Sequence, residues 1–205
     1  MRLPRRSLLA GTALLATGPA LAQATPDPRL AERGVGRPEA PVRVLEFFSL
    51  TCSHCAAFHK ETYPKVKAEL VESGAIRLVW RDFPLDRLAL VAAQVARSLP
   101  PERYEPFIGA LLTSQDRWAF TRGEPLEELA KMAALAGMSR AQFEAAAKDE
   151  ALARAILEAR QTAEREFNVQ ATPTFAFQQG GRTRTQGGNI AFDRFQSLVE
   201  EVRRA

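Results

Sequence analysis

The chain has 205 residues, of which 46% are hydrophobic and 25% are charged, as in ordinary globular domains. Its formal net charge of +4 includes Arg2, Arg5 and Arg6, so the remainder is nearly neutral and does not indicate a nucleic-acid partner. Two cysteines in a chain of this length are too few for a scaffold held together by disulfides.

Residues 1–22 have the parts of a secretory signal peptide. Arginines precede an apolar stretch from about Leu8 to Leu21, and the small-residue patterns that follow predict cleavage after Ala22 or Ala24. The adjacent arginines favour the twin-arginine export route, but the residues around them depart from its usual pattern, so an ordinary Sec signal is the alternative. We therefore expect the chain to be exported.

The next segments predict a linker followed by a βαβ unit. Residues 23–40 contain proline, glycine and arginine without periodicity, which predicts an exposed linker. An apolar run from Val42 to Ser49 predicts a buried strand, and Ile76 to Asp82 predicts a second strand. The helix predicted between them, from Cys52 to about Ser73 with a kink at Pro64, implies parallel strands and a right-handed crossover.

The rest of the chain predicts a helical insertion and a closing hairpin with a helix. The pattern is helical almost throughout 86–167, and Ser139-Arg140-Ala141-Gln142 is a capping box within it. We expect an inserted all-helical subdomain, with the alternative that some of its helices cover the sheet. Strands at Phe175-Ala176-Phe177 and from Arg182 to Thr185, joined by a glycine turn, precede a helix from Ala191 to Arg204. The order is β-α-β, helical insertion, β-β-α, an α/β fold.

The two cysteines form the motif Cys52-Ser53-His54-Cys55 where the first strand turns into the first helix. Unpaired backbone N–H groups and the positive end of the helix dipole meet there, and they stabilise a thiolate at Cys52. Two thiols at this spacing can close a small disulfide and reopen it. The motif therefore predicts redox chemistry.

Other interpretations of the motif have less support. A purely structural disulfide at this spacing would constrain the unfolded chain little. A c-type haem site requires histidine directly after the second cysteine, where the chain has Ala56. Cys52, Cys55 and His59 could share a helix face and bind copper or zinc, but no second cysteine or histidine pair completes a tetrahedral site.

Two sequence segments flank this chemistry at a distance: Leu45-Glu46-Phe47-Phe48-Ser49 precedes the cysteines, and Thr172-Pro173-Thr174 precedes the final hairpin. With these segments, the Cys-x-His-Cys form and the helical insert, the chain resembles the DsbA-like thiol:disulfide oxidoreductases of the bacterial cell envelope. The resemblance covers roughly Pro41 to Ala205. It implies a thioredoxin fold with halves at 41–85 and 168–205, and a periplasmic location.

The resemblance assigns roles to the residues of the motif. It implies that Cys52 is the nucleophile and that Cys55 is the more buried resolving thiol. The redox centre would be their disulfide, with no added cofactor or metal. His54 is expected to donate a hydrogen bond or positive charge to the Cys52 thiolate and so lower the pKa of Cys52, the alternative being a surface histidine without a role.

The resemblance also assigns roles outside the motif. Glu46 lies in an otherwise apolar strand, where burial favours its protonated form and suits proton exchange with the inner thiol. Pairing of Glu46 with Arg77 or Arg81 on the next strand is a compatible alternative. Pro173 is expected to be cis and to expose the Thr172 backbone, where an extended substrate segment could pair by strand addition.

Two departures from the family pattern affect the expected reaction. Ser53 replaces the proline of many DsbA sites, which leaves the reduction potential open. Thr172 resembles the isomerase branch of the superfamily, whose members need an N-terminal dimerisation domain. Residues 23–40 are too short for such a domain, so we expect a monomer.

The predicted function is that of an exported oxidase that donates its Cys52–Cys55 disulfide to folding envelope proteins. Its expected partners are unfolded or partly folded exported proteins with thiols and a membrane redox protein of the DsbB type. One alternative is an isomerase or reductase kept reduced by a membrane donor. The other is a copper or zinc metallochaperone that binds through the cysteines and His59.

Overall fold

The computed structural model describes residues 27–204. The predicted signal peptide and both predicted cleavage positions lie outside the described residues. Within 27–204, no helix combines the length and the apolar character needed to cross a membrane.

One mixed sheet forms the centre of the molecule. Its strands are β1 (Arg33–Val35), β2 (Val42–Phe48), β3 (Ile76–Asp82), β4 (Thr174–Gln179) and β5 (Arg182–Gly187). They lie in the order β1-β3-β2-β4-β5, with β2 and β3 parallel and the other neighbours antiparallel. The predicted βαβ unit and the predicted hairpin are thus both present.

Helices connect and cover the strands. They are α1 (Ser53–Ala57), α2 (Tyr63–Val66), α3 (Arg87–Arg97), α4 (Pro101–Thr113), α5 (Gln115–Trp118), α6 (Pro125–Leu135), α7 (Arg140–Ala147), α8 (Glu150–Phe167) and α9 (Phe192–Arg204). The predicted capping box at Ser139 is present at the start of α7, and Asp149 caps α8.

The helix predicted after the cysteines is continuous but irregular. π-Helical turns at Phe58–Thr62 and Lys67–Val71 alternate with α1 and α2, so that 53–71 is one helical segment. Pro64 has no N–H to donate to the preceding turn. Just before Pro64 the backbone hydrogen bonds change to the π-helical pattern, and the Tyr63 N–H donates to the Phe58 carbonyl five residues back.

The segment predicted as an exposed linker is instead partly structured. β1 pairs with β3 at the edge of the sheet, and Arg33 is 7% exposed. A Cβ at Gly34 would lie 2.7 Å from the Leu78 carbonyl oxygen, so this close pairing requires glycine. Three residues with one glycine and one arginine show no apolar alternation, and the sequence pattern therefore gave no sign of a strand.

Both faces of the sheet are covered. Val44, Leu78 and Phe177 pack on one face in the main core, together with residues of the helical segment 53–71 and of α9. Leu45, Phe47, Val79 and Ala176 pack on the other face against Ala163 of α8. The alternative for the insertion is therefore correct in part, because α8 covers the sheet while α3 packs against α4, α6 and α7.

A buried polar cluster joins the insertion to the sheet. Arg97 of α3 forms an ion pair with Asp82 at the end of β3, and the Tyr104 hydroxyl donates to the same carboxylate at 3.2 Å. Arg97 also donates to the Arg29 carbonyl at 2.9 Å. One arginine thus fixes the insertion, the sheet and the N-terminal segment relative to each other.

Candidate active site

The two cysteines lie at the start of the helical segment, as the sequence predicts. Cys52 is the N-cap of α1, and both thiols are free, so the structure describes the dithiol form. Cys52 is 8% exposed, whereas Cys55 is fully buried one turn further along. Of the two sulfurs, that of Cys52 is the one that a second molecule can reach.

The surroundings move the pKa values of the two thiols in opposite directions. The pKa of Cys52 falls from 9.0 to about 5, chiefly because the Cys55 thiol donates a hydrogen bond to its sulfur. The Thr172 side chain and the backbone N–H groups of Cys55 and His54 lower it further, while burial opposes the shift. Burial raises the pKa of Cys55 well above 9.0, and the neighbouring Cys52 and Glu46 charges add to this rise. At neutral pH the dithiol form therefore has a thiolate at Cys52 and a protonated thiol at Cys55.

Residues 120 positions away in sequence complete the site. The Thr172 carbonyl oxygen lies 3.2 Å from Cys52 Sγ, and the Thr172–Pro173 peptide bond is cis, as expected from the resemblance. The Thr172 hydroxyl is buried and has no hydrogen-bond partner, so it is available to donate to the Cys52 thiolate.

His54 lies two residues after Cys52, in the first turn of α1. Its side chain is exposed, and the residue lowers the pKa of Cys52 through its backbone N–H. This contribution follows from the position of His54 at the helix N-terminus.

Glu46 is completely buried and is bound to a histidine. His59 Nε2 lies 3.0 and 3.3 Å from the two carboxylate oxygens of Glu46. The predicted alternative of a pair with Arg77 or Arg81 is wrong. In the parallel register Glu46 is opposite Trp80 and shares its face of the sheet, whereas the two arginines alternate to the opposite face.

The orientation of His59 does not favour the metal-binding alternative. Its ring is directed to Glu46, and no group of three or more His, Cys, Asp or Glu side chains in 27–204 is placed to hold a metal ion. Sequence reasoning missed His59 as the partner of Glu46. Its spacing of four residues from Cys55 was the available signal, since residues so spaced share a helix face.

The helical insertion also contributes to the site. Gln115 of α5 is buried and donates from Nε2 to the Leu50 carbonyl at 2.8 Å and to the Cys52 carbonyl at 3.0 Å. The Thr51 hydroxyl donates to Asp86, which also caps α3. These contacts hold the turn that carries Cys52 against the insertion. These contacts could not be predicted, because helical periodicity does not show where an inserted helix docks.

A βαβ unit and a ββα unit in one sheet, with a dithiol at a helix N-terminus beside a cis-proline, define a thioredoxin-like protein with a redox-type site. The family model described as Thioredoxin matches residues 30–201, and the chain belongs to this family.

Similar proteins carry names from disulfide chemistry. The crystal structure of Wolbachia pipientis alpha-DsbA1 is 27% identical with a TM-score of 0.76, covering 83% of this chain and 90% of that one. A structure named as a protein-disulfide isomerase, from Novosphingobium aromaticivorans, is 25% identical with a TM-score of 0.70, covering 82% of this chain and 96% of that one.

A curated relative from Rickettsia conorii, named as a protein-disulfide oxidoreductase, is 26% identical over 169 residues. The match covers 82% of this chain but only 59% of the relative. The chain therefore spans less than two thirds of the length of that protein.

Proposed function

We propose that this chain is an exported thiol:disulfide oxidase that donates its Cys52–Cys55 disulfide to other exported proteins. The observation that carries the proposal is the opposite displacement of the two thiol pKa values, with Cys52 near 5 and Cys55 well above 9.0. A stabilised thiolate in the dithiol form favours reduction of the enzyme and hence oxidation of the substrate.

The exchange proceeds in two steps at Cys52. A substrate thiolate attacks Cys52 Sγ, the Cys52–Cys55 bond breaks, and the Cys55 thiolate leaves and takes up a proton. A second substrate thiolate then attacks the substrate sulfur of the mixed disulfide, and Cys52 leaves as a thiolate. The substrate gains a disulfide and loses two electrons, which the enzyme retains as its dithiol. The low pKa of Cys52 makes it a good leaving group in the second step.

Two groups near the cysteines support these steps. The Thr172 carbonyl lies beside Cys52 Sγ, where an extended substrate segment can pair with the backbone at Thr172 and Pro173 by strand addition. Glu46 is close enough for its charge to raise the pKa of Cys55, and it exchanges the proton that the inner thiol takes up or releases. His54 contributes its backbone N–H to the Cys52 thiolate.

The proposed location is the periplasm, and the proposed working form is a monomer without an added cofactor or metal. The signal-peptide pattern in 1–22 and the disulfide-chemistry names of the relatives support export to an oxidising compartment. A membrane redox protein of the DsbB type would reoxidise the dithiol, and thiol-bearing exported proteins would be the substrates.

The second candidate is a disulfide isomerase or a reductase. The Novosphingobium structure named as an isomerase favours it, because that structure is similar over most of both chains. The two candidates differ in the redox state of the Cys52–Cys55 pair, which an oxidase keeps as a disulfide and an isomerase or reductase keeps as a dithiol.

Transfer of the disulfide to a defined substrate tests the proposal. The oxidised chain is mixed with a reduced, unfolded protein that has two cysteines, without any other oxidant. We expect one substrate disulfide for each Cys52–Cys55 disulfide lost, and no transfer from Cys52→Ser. Absence of transfer by the wild type contradicts the proposal. If the dithiol form rearranges a wrongly paired substrate faster than the disulfide form oxidises a reduced one, the result supports the second candidate.

A further inference from the structure

The pair of Glu46 and His59 is the most deeply buried ionisable contact beside the two cysteines. The side chains of His59 and Glu46 are 2% and 0% exposed. When Glu46 is a carboxylate, both of its oxygens are acceptors only, so His59 Nε2 must carry the hydrogen that bridges them at 3.0 and 3.3 Å. A buried carboxylate without such a donor is strongly disfavoured.

Aromatic rings shield this pair from water. The Tyr63 ring lies 4.9 Å from the His59 ring, with the planes inclined by 32°, and Phe58 packs edge-on at 5.7 Å. The Tyr63 hydroxyl points away and donates to Glu105 at 2.6 Å, where Lys67 also binds at 2.5 Å. Glu105 and Lys67 thus pair with each other, which leaves His59 as the partner of Glu46.

The helical segment places this pair beside the inner thiol. His59 follows Cys55 by four residues, so the two side chains share one helix face. Glu46 comes from β2, and its charge acts on Cys55. The ionisable groups on which the charge of Glu46 acts include Cys55 at the start of the helical segment and Tyr63 in α2.

We propose that His59 is a positioning residue for thiol–disulfide exchange, whose Nε2–H holds Glu46 beside Cys55 and stabilises the carboxylate form of Glu46. This rests on the proposed function. When Cys55 leaves as a thiolate, Glu46 in its acid form gives its proton to Cys55 Sγ and becomes the carboxylate bound by His59. In the reverse direction the carboxylate takes the proton from the Cys55 thiol, and the thiolate formed attacks the mixed disulfide.

Closure of a mixed disulfide with glutathione isolates this second step. The dithiol protein reacts with oxidised glutathione, which forms a Cys52–glutathione disulfide and releases one glutathione. Cys55 then loses its proton to Glu46 and attacks Cys52 Sγ, which closes the Cys52–Cys55 bond and releases the second glutathione as a thiolate. Acid quenching followed by mass spectrometry measures both rates between pH 4.5 and 8.5.

We expect His59→Leu to slow closure by about tenfold to hundredfold, the factor expected for a lost hydrogen bond to a charged group. The mixed disulfide should accumulate, closure should need a higher pH to reach half its maximal rate, and the first step should change less than about twofold because it belongs to Cys52. His59→Gln, which can still donate to Glu46, should restore part of the closure rate. Tyr63→Phe is the matched control, since it keeps the ring on His59 and removes only the hydroxyl bound to Glu105.

A second comparison tests whether His59 acts through Glu46. Glu46→Gln removes the carboxylate, so adding His59→Leu to it should leave closure unchanged if His59 acts through Glu46. A double variant tenfold slower than Glu46→Gln would overturn the proposal, as would closure by His59→Leu at the wild-type rate across the pH range. If the wild-type dithiol does not react with glutathione at all, the proposed function itself fails and this proposal fails with it.

Discussion

At the scale of single residues, the site depends on a difference between two chemically identical side chains. Cys52 and Cys55 are three positions apart, yet the first is the N-cap of α1 with a lowered pKa and the second is enclosed in the core. The two residues also depend on each other, because the hydrogen bond from the Cys55 thiol is the main cause of the lowered pKa of Cys52. The two positions are therefore assigned by their surroundings rather than by residue type.

Alkylation should separate the two thiols. Because the pKa of Cys52 is about 5, limiting iodoacetamide at pH 5–6 should label Cys52 in the reduced protein and leave Cys55 unlabelled. The rate of labelling should be half-maximal near pH 5, and peptide mapping identifies the labelled residue. His54→Ala keeps the backbone N–H of residue 54 and should therefore retain most of this profile. Preferential labelling of Cys55 would contradict the assignment.

The disulfide form should be less stable than the dithiol form at neutral pH. The folded-state pKa of Cys52 is depressed, so its contribution to stability is full above the ordinary thiol value of 9.0 and is lost as the pH falls through about 5. At pH 7 it is about 2–3 kcal/mol, at ~1.36 kcal/mol for each pKa unit. Oxidation removes this contribution. The Cys52–Cys55 disulfide closes only a short loop, so it restores little stability by constraining the unfolded chain.

Thermal unfolding of the two forms measures this contribution. A difference of that size corresponds to a Tm roughly 4–12 °C higher for the reduced form at pH 7 in a chain of this size. The difference should shrink toward pH 5 and vanish near pH 4. An oxidised form that melts higher at pH 7 would show that the Cys52 thiolate is not stabilised.

At the scale of secondary-structure elements, the site is assembled from four separate parts of the chain. β2 supplies Glu46, the helical segment 53–71 supplies the cysteines and His59, α5 supplies Gln115, and the turn before β4 supplies Thr172. The insertion is attached to the sheet through the buried pair of Arg97 and Asp82. The precision of the site therefore depends on contacts that are remote from the sulfurs.

Removal of one member of this pair should destabilise the whole fold. Arg97→Ala leaves the Asp82 carboxylate buried without its partner, and such a loss typically costs about 3–5 kcal/mol. Urea unfolding followed by circular dichroism measures the change in free energy. Arg140→Ala is the control, because its ion pairs with Glu127 and Glu144 are exposed and screened by water, so their loss should change the free energy of unfolding much less. Equal effects of the two substitutions would show that the buried pair has no special weight.

The elements with a strong periodic pattern were predictable, and those without one were not. β2, β3 and the cysteine-bearing helical segment follow from runs of apolar residues and from the helical pattern after the cysteines. β1 was not predicted, because its pairing depends on a glycine and a buried arginine rather than on a run of apolar residues. The capping box at Ser139 was readable because its partners are three residues apart, whereas Gln115 bonds to residues more than 60 positions away.

At the scale of the whole molecule, the fold brings a thiolate, a buried thiol and a buried acid with its histidine to one end of the sheet. Local sequence indicated the cysteines, and the resemblance indicated Glu46, Thr172 and Pro173. The partner of Glu46 required the sheet register, because that register decides which neighbours share its face. From the sequence, Arg77 or Arg81 was a possible partner of Glu46, and the structure places His59 there instead.

The equilibrium of the Cys52–Cys55 pair with glutathione tests the oxidase account most directly. The stabilised thiolate alone should raise the reduction potential by about 40–60 mV at pH 7, since 30 mV corresponds to ~1.4 kcal/mol for two electrons. We therefore predict a potential at least about 40 mV more oxidising than that of thioredoxin. A potential close to the value of thioredoxin, about −270 mV, would contradict the account and identify the chain as a reductase.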